Sequence, residues 1–222
     1  MSLLHTAASP PLLVLGWCIT VPAAWLALRA VRPSFLPTAQ AQHGWLAAVV
    51  SATMLWVLHV RSPVGLDFGV LGSALFALVF GRARAVLGLL AALALYTALE
   101  EGAWLNFGLN GALLAVLPAC LVALLQRQLE RRLPHNLFVF IIGNGLFVTL
   151  IVTACTNGLI LLVGTLEAEA VRGLGDHIAY SLLLAWGEAL MSGMLFSALV
   201  IFLPQLVLTY RQELYLPPRR TP

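Results

Sequence analysis

Apolar residues dominate the chain in long runs, and short polar stretches separate these runs. A helix that crosses a membrane needs about 20 mostly apolar residues, and seven runs come close to that length. The pattern therefore predicts an all-α, polytopic membrane protein with seven transmembrane helices. These helices are expected at approximately residues 11–31, 43–60, 65–81, 84–99, 108–126, 137–164 and 178–203.

The arrangement of the runs predicts a single transmembrane domain over residues 1–222. The third and fourth runs are the shortest, and only the four residues 81–84, GRAR, separate them. This spacing indicates a tight turn between two helices. Residues 204–222 follow the last run and are expected to form a short cytoplasmic tail.

The arginines predict the orientation of the helices. With the N-terminus outside, ten of the twelve basic residues fall in cytoplasmic segments, and only Arg61 and Arg172 fall on the other side. An excess of basic residues in cytoplasmic loops is the usual rule for membrane proteins. The distribution thus predicts an outside N-terminus and a cytoplasmic C-terminus, and it supports the count of seven.

Composition agrees with this class and excludes others. The chain is 61% hydrophobic and 9% charged, whereas soluble domains contain about 25% charged residues. The lipid bilayer is therefore an expected partner. Nucleic acid is not, because no basic run alternates with aromatic residues. The three cysteines lie separately inside apolar runs and are interpreted as packing residues.

Polar residues inside the apolar runs are the candidates for function, because an ionisable group in a membrane is costly unless it is satisfied. Glu188 is the clearest case. On a helical wheel it shares an arc of about 60° with three other polar residues of the seventh helix. These are His177, Ser181 and Ser192.

A second polar stripe runs along the sixth helix and consists of Thr149, Thr153, Thr156 and Asn157. Threonines of this kind often only join helices or bond their own backbone, and we prefer that interpretation for the three threonines. For Asn110 in the fifth helix and Asn144 in the sixth, packing and function remain equal alternatives. Asp67 at the start of the third helix is a further candidate.

Known catalytic and nucleotide-binding motifs are missing. The chain has no G-x-x-x-x-G-K-[ST], no H-E-x-x-H and no G-x-S-x-G. An intramembrane enzyme that uses Glu188 ranks last among the alternatives. We therefore expect a protein that is not an enzyme, has no permanently bound cofactor, and does not hydrolyse ATP through a P-loop.

Four stretches of the chain resemble a known family. They are GLDFGVLGSALFALVFGRARAVL (65–87), WLNFGLNGALLAVLPACLVALL (104–125), LPHNLFVFIIGNGLF (133–147) and LLLAWGEALMSGMLFSALVIFLPQLVLTY (182–210). Together they resemble the CbiM/NikM family, in particular a divergent proteobacterial branch. This family comprises the substrate-capture and permease subunits of energy-coupling-factor (ECF) type cobalt and nickel transporters.

The resemblance implies a function and partners. A subunit of this kind would capture Co²⁺ or Ni²⁺ as substrate from the outer face of the bacterial inner (cytoplasmic) membrane. It would work with a transmembrane coupling protein and with cytoplasmic ATPase subunits. Asn110, Asn144 and Glu188 match motif positions of the family and would support the substrate site. His177 is a further candidate because it lies in the same polar stripe as Glu188.

The metal ligands of the family do not all match. In family members the metal is held by the N-terminal amine, a His after Met1 and a His in an HLxGA block. Ser2 and Gly69 occupy the two His positions here. His5 could replace one of them, and Asp67 lies two residues from the other.

Two alternatives to metal import remain open at this point. A degenerate family member could act as a membrane scaffold, or it could import a small molecule that is not a metal. In each case we expect Glu188 to tie the seventh helix to a neighbour, such as the fifth or sixth helix, and so to order the substrate site.

Overall fold

The computed structural model of the chain describes residues 8–31, 35–36, 38–58, 60–61, 67–68, 71–100, 102–134, 136–167 and 174–210. Within these residues the chain is a bundle of helices with one two-residue ladder. Helices α1 to α4 are Pro10–Val31, Ala39–Val57, Ser73–Phe80 and Arg82–Leu99. The ladder pairs β1, Val60–Arg61, with β2, Asp67–Phe68, in antiparallel fashion.

The last three helices are the longest. Helix α5 is Trp104–Arg132, and it contains a 3₁₀ turn at Trp104–Asn106 and a π-helical turn at Ala112–Val116. Helix α6 runs through Leu137–Ile142, a π-helical turn at Gly143–Val148, and Thr149–Glu167. Helix α7 is Leu174–Phe202, and a 3₁₀ turn at Pro204–Leu206 follows it.

The third helix is shorter than the run 65–81 predicted. Helix α3 has eight residues, which is about 12 Å at 1.5 Å per residue, and a hydrocarbon core is about 30 Å thick. Residues 67–68 belong to the ladder instead, and Gly72 precedes α3 with a left-handed backbone, φ 64°. Counting apolar residues overestimated this helix because a glycine in that conformation interrupts the helical backbone.

Five helices of the described residues are long and apolar enough to cross a membrane: α1, α4, α5, α6 and α7. Helix α2 has 19 residues, but Gln40, Gln42 and His43 lie in its first turns. Helix α3 is too short to cross alone. The count of seven spans and the orientation of the termini therefore stay predictions.

Exposed apolar side chains cover the outside of the bundle. Leu26 of α1 is 60% exposed, and Leu183 and Met194 of α7 are 69% and 75% exposed. Surfaces of this kind are unusual on a soluble monomer and suit contact with lipid. The core lies around α3 and α4, where Leu78, Leu89 and Leu93 have no exposed surface.

Helices α1 and α5 pack in the same direction with very little space between them. A Cβ on Gly16 would lie 2.4 Å from the backbone nitrogen of Leu109, so only glycine permits this approach. The Thr20 hydroxyl donates to the Gly108 carbonyl at 2.7 Å. Because successive helices alternate in direction, α1, α5 and α7 all begin at one end of the bundle, called the upper end below. The turn between α3 and α4 lies at the lower end.

The segment after α7 packs against the bundle over its described part, residues 204–210. The Leu208 N–H donates to the Val79 carbonyl at 2.7 Å, and the Thr209 hydroxyl donates to the Leu78 carbonyl. The first residues of the predicted tail therefore contact α3. The remaining tail, residues 211–222, lies outside the described residues.

Candidate functional site

Glu188 is buried in the middle of α7, with 1% of its surface exposed. Its Oε2 accepts a hydrogen bond from the backbone N–H of Leu71 at 3.0 Å. Its Oε1 accepts one from the N–H of Gly72 at 2.9 Å. Both oxygens of the carboxyl group are thus engaged by main-chain donors 116 or 117 residues away in sequence.

These two donors stand at the start of α3, since Gly72 immediately precedes Ser73. The first N–H groups of a helix have no partner within the helix, and the helix dipole favours a negative group at this end. Glu188 therefore caps α3 from a different helix. We expected a neighbour such as the fifth or sixth helix. The backbone entering α3 donates to both oxygens, and the Thr153 hydroxyl of α6 interacts with the same carboxyl group.

Trp56 of α2 holds the same segment from the other side. Its indole N–H donates to the Leu71 carbonyl at 2.7 Å, and the side chain is 5% exposed. Leu71 is therefore bound through its N–H by α7 and through its C=O by α2. Sequence reasoning missed Trp56. The available signal was an indole N–H in an apolar helix, which needs a partner when buried.

The two stripes predicted on α6 and α7 are both buried, and these helices pack against each other along much of their length. The Asn157 amide donates to the Ser181 carbonyl at 3.5 Å. Further along, a Cβ on Gly145 would lie 3.1 Å from the Cα of Gly193. We call this set the polar seam: Thr149, Thr153, Thr156 and Asn157 of α6 with His177, Ser181, Glu188 and Ser192 of α7.

Two side-chain oxygens in the polar seam have no hydrogen-bond partner among the described residues. They are the hydroxyl oxygen of Thr156 and the amide oxygen of Asn157, on side chains 0% and 3% exposed. Buried polar atoms of this kind are uncommon and costly. The seam is therefore well satisfied at Glu188 and poorly satisfied at Thr156 and Asn157.

Two asparagines at the upper end lie near the start of the described chain. The Ala8 N–H donates to Oδ1 of Asn106 at 3.2 Å, and Asn106 has no exposed surface. Asn110 follows one turn later on α5 and is 3% exposed. His5 and Ser2 lie outside the described residues, but Ala8 shows that the chain leaving them reaches α5.

The remaining candidates are distributed over the whole bundle. His177 is buried at the upper end of α7, about 16 Å along the helix from Glu188. Asn144 lies in the π-helical turn near the lower end, donates to the Phe140 carbonyl at 3.0 Å and contacts a small cavity beside Glu130. Asp67 pairs with Arg61 through the ladder, and Gly69 lies outside the described residues.

The described residues contain no group of three or more His, Cys, Asp or Glu that could hold a metal ion. Both carboxyl oxygens of Glu188 already accept hydrogen bonds from backbone N–H groups. A metal site built on His5 and Asp67 would therefore use side chains that the described part of the chain does not include.

A family model described as the cobalt uptake substrate-specific transmembrane region, CbiM, matches residues 6–206. The chain belongs to the CbiM family. It is a multi-pass membrane component of metal uptake. No curated protein sequence matches the chain.

Two solved structures share the fold of this CbiM-family chain. One is described as a truncated transition metal transporter, with a TM-score of 0.65 and 21% identity over 90% of this chain and 99% of that chain. The other is described as a transition metal transporter, with a TM-score of 0.66 and 21% identity over 90% and 92%. At this identity the likeness concerns the fold.

Proposed function

We propose that this chain is the substrate-capture and permease subunit of an ECF-type transporter that imports a divalent transition metal of the cobalt and nickel class. It would work with a transmembrane coupling protein and cytoplasmic ATPase subunits in a bacterial inner membrane. The observation that carries the proposal is the double restraint on Leu71. Glu188 and Trp56 hold it two residues after Gly69, the position of a family ligand.

A restrained backbone at this point is what a metal site requires. Ligands that must close around a small ion need supporting contacts that set their position, and losing such contacts typically lowers metal affinity 10- to 100-fold. The segment between β2 and α3 receives this support from two helices. Glu188 is accordingly proposed to position the segment rather than to bind the metal.

The proposed ligands are His5 and Asp67. An imidazole nitrogen suits Co²⁺ and Ni²⁺, and a carboxylate can complete the set. The bond from Ala8 to Asn106 holds Ala8, three residues after His5, at the upper end, where Asn110 and His177 would support the site. Asn144 lies nearer the lower end, and we leave it out of the proposed ligand set.

Metal content of the purified protein tests this proposal. Protein in detergent would be offered Co²⁺, Ni²⁺, Cu²⁺ and Zn²⁺ separately, and bound metal would be measured by mass spectrometry. We expect one Co²⁺ or Ni²⁺ per chain, with binding lost in His5→Ala and weakened in Asp67→Asn. His43→Ala is the matched control, because His43 is an exposed imidazole in the second turn of α2.

The substitution of both family His positions by Ser2 and Gly69 favours a second candidate. In this case the chain would import a small molecule that is not a metal, or would act as a scaffold for a partner. Absence of bound metal under all four conditions, in protein that remains folded, would favour this second function and contradict the first.

A further inference from the structure

Helix α3 is bound at both ends by one continuous stretch of chain. At its N-terminal end the Glu188 carboxylate accepts from Leu71 and Gly72. At its C-terminal end the carbonyls of Leu78 and Val79 accept from Thr209 and Leu208. Glu188 belongs to α7, and Leu208 and Thr209 follow α7 after a short turn.

The N–H of Gly72, at the N-cap, and the carbonyls of Leu78 and Val79 are groups that a helix leaves unpaired at its ends, whereas Leu71 precedes the helix. The first four N–H groups and the last four C=O groups have no partner within the helix, and in an apolar bundle each needs one from elsewhere. Since α3 has only eight residues, these terminal groups are about half of its backbone N–H and C=O groups. Seven of its eight residues are also buried.

The packing around α3 is uneven. A cavity of about 250 Å³ opens between α2, α3 and α7, and it is apolar. Its lining includes Ala48 of α2, Leu75 of α3, Leu199 of α7 and Leu206 of the C-terminal segment. Helix α3 is thus joined to α7 by directional bonds, while loose packing separates part of it from α2.

We propose that α3 transmits substrate occupancy from Leu71 and Gly72, which precede it, to the C-terminal segment 204–210 at the lower end. This inference rests on the proposed function, because it concerns regulation of the same site. A shift of Leu71 and Gly72 on metal binding would move a short, buried helix whose other end holds Leu208 and Thr209. The arginine distribution predicts the lower end to be cytoplasmic, which is where ATPase partners would be found.

Amide hydrogen exchange on the full chain in lipid nanodiscs tests the coupling without any metal. Thr209→Val removes the hydroxyl bond at the lower end of α3. We expect the Leu71 and Gly72 amides at the other end to exchange about two- to tenfold faster, the effect of losing one net hydrogen bond. In Thr209→Ser, which keeps the hydroxyl, the Leu71 and Gly72 amides should exchange at the wild-type rate.

Thr97→Val is the matched control. It also removes a threonine hydroxyl that donates to a backbone carbonyl, but this carbonyl is that of Leu93 within α4. It should leave the Leu71 and Gly72 amides unchanged. If Thr209→Val leaves these amides unchanged as well, or if Thr97→Val accelerates them equally, the two ends of α3 are not coupled and the inference is overturned.

A second measurement adds Co²⁺ or Ni²⁺ to wild-type protein. Bound metal should slow exchange of the Leu208 amide at least twofold, and Thr209→Val should reduce that effect. If the metal binds but the exchange rate of the Leu208 amide stays the same, the inference is overturned and the proposed function is not affected. If neither metal binds, the proposed function fails, and the metal-free experiment still decides whether α3 couples its two ends.

Discussion

Two regions of the polar seam, one around Glu188 and one around Thr156 and Asn157, differ in how fully their buried polar atoms are hydrogen-bonded. Around Glu188 each carboxylate oxygen has a backbone donor within 3.0 Å. One to three helical turns away, the oxygens of Thr156 and Asn157 have no partner among the described residues. Polar residues in an apolar helix therefore do not form one functional class. Glu188 accepts hydrogen bonds from another segment of the chain, whereas the side-chain oxygens of Thr156 and Asn157 accept none among the described residues.

The largest effect is expected for Glu188→Leu. This change leaves the N–H groups of Leu71 and Gly72 buried without acceptors, at about 1–3 kcal/mol for each group. We expect a loss of about 2–6 kcal/mol in the free energy of unfolding and loss of metal uptake. Thermal unfolding in detergent and an uptake assay would measure these, with Glu130→Leu at an exposed position as the control. Wild-type values for both would contradict the role assigned to Glu188.

Glu188→Gln should have about half that effect. A glutamine retains one acceptor oxygen but presents an NH₂ group to the other N–H, so only one of the two donors is satisfied. We expect a loss of about 1–3 kcal/mol, measured by thermal unfolding beside Glu188→Leu. If the two variants lose equal stability, the two hydrogen bonds do not contribute separately.

Trp56→Phe should have a smaller effect. It removes the indole donor to the Leu71 carbonyl, while the Glu188 bonds to this segment remain. We expect a loss of about 1 kcal/mol for the hydrogen bond, with a further loss for the smaller ring. Faster exchange of the Leu71 and Gly72 amides would show that the segment itself is loosened, and an unchanged exchange rate would count against the double restraint.

Thr156→Val should have the smallest effect, and its direction is the informative result. Valine has nearly the same shape and removes an oxygen that has no partner among the described residues. We expect the free energy of unfolding to stay the same or to rise by up to about 1 kcal/mol. A loss of stability as large as that of Glu188→Gln would mean that Thr156 has a hydrogen-bond partner. The contrast between Glu188 and Thr156 would then disappear.

The residues compared here could be predicted from the local sequence pattern. Glu188 was singled out because a carboxylate in an apolar run is unusual, and the stripes on α6 and α7 follow from the helical period. The register that joins Asn157 to Ser181 could not be predicted, because a helical wheel gives the face of each residue but not its partner. The bond donors of Glu188 are backbone atoms, which every residue carries and no sequence pattern marks.

The sequence by itself determined the class of protein, the approximate positions of the helices and the residues that needed an explanation, because hydropathy and helical periodicity act over short stretches of chain. Only the tertiary structure decided that α3 ends after eight residues, that its two ends are capped by α7 and the segment after it, and that Asn144 lies far from Asn106. The two caps join residues more than a hundred positions apart in sequence. Such contacts form only when the whole bundle packs, since a buried N–H or C=O group takes whichever partner the assembled helices bring near it.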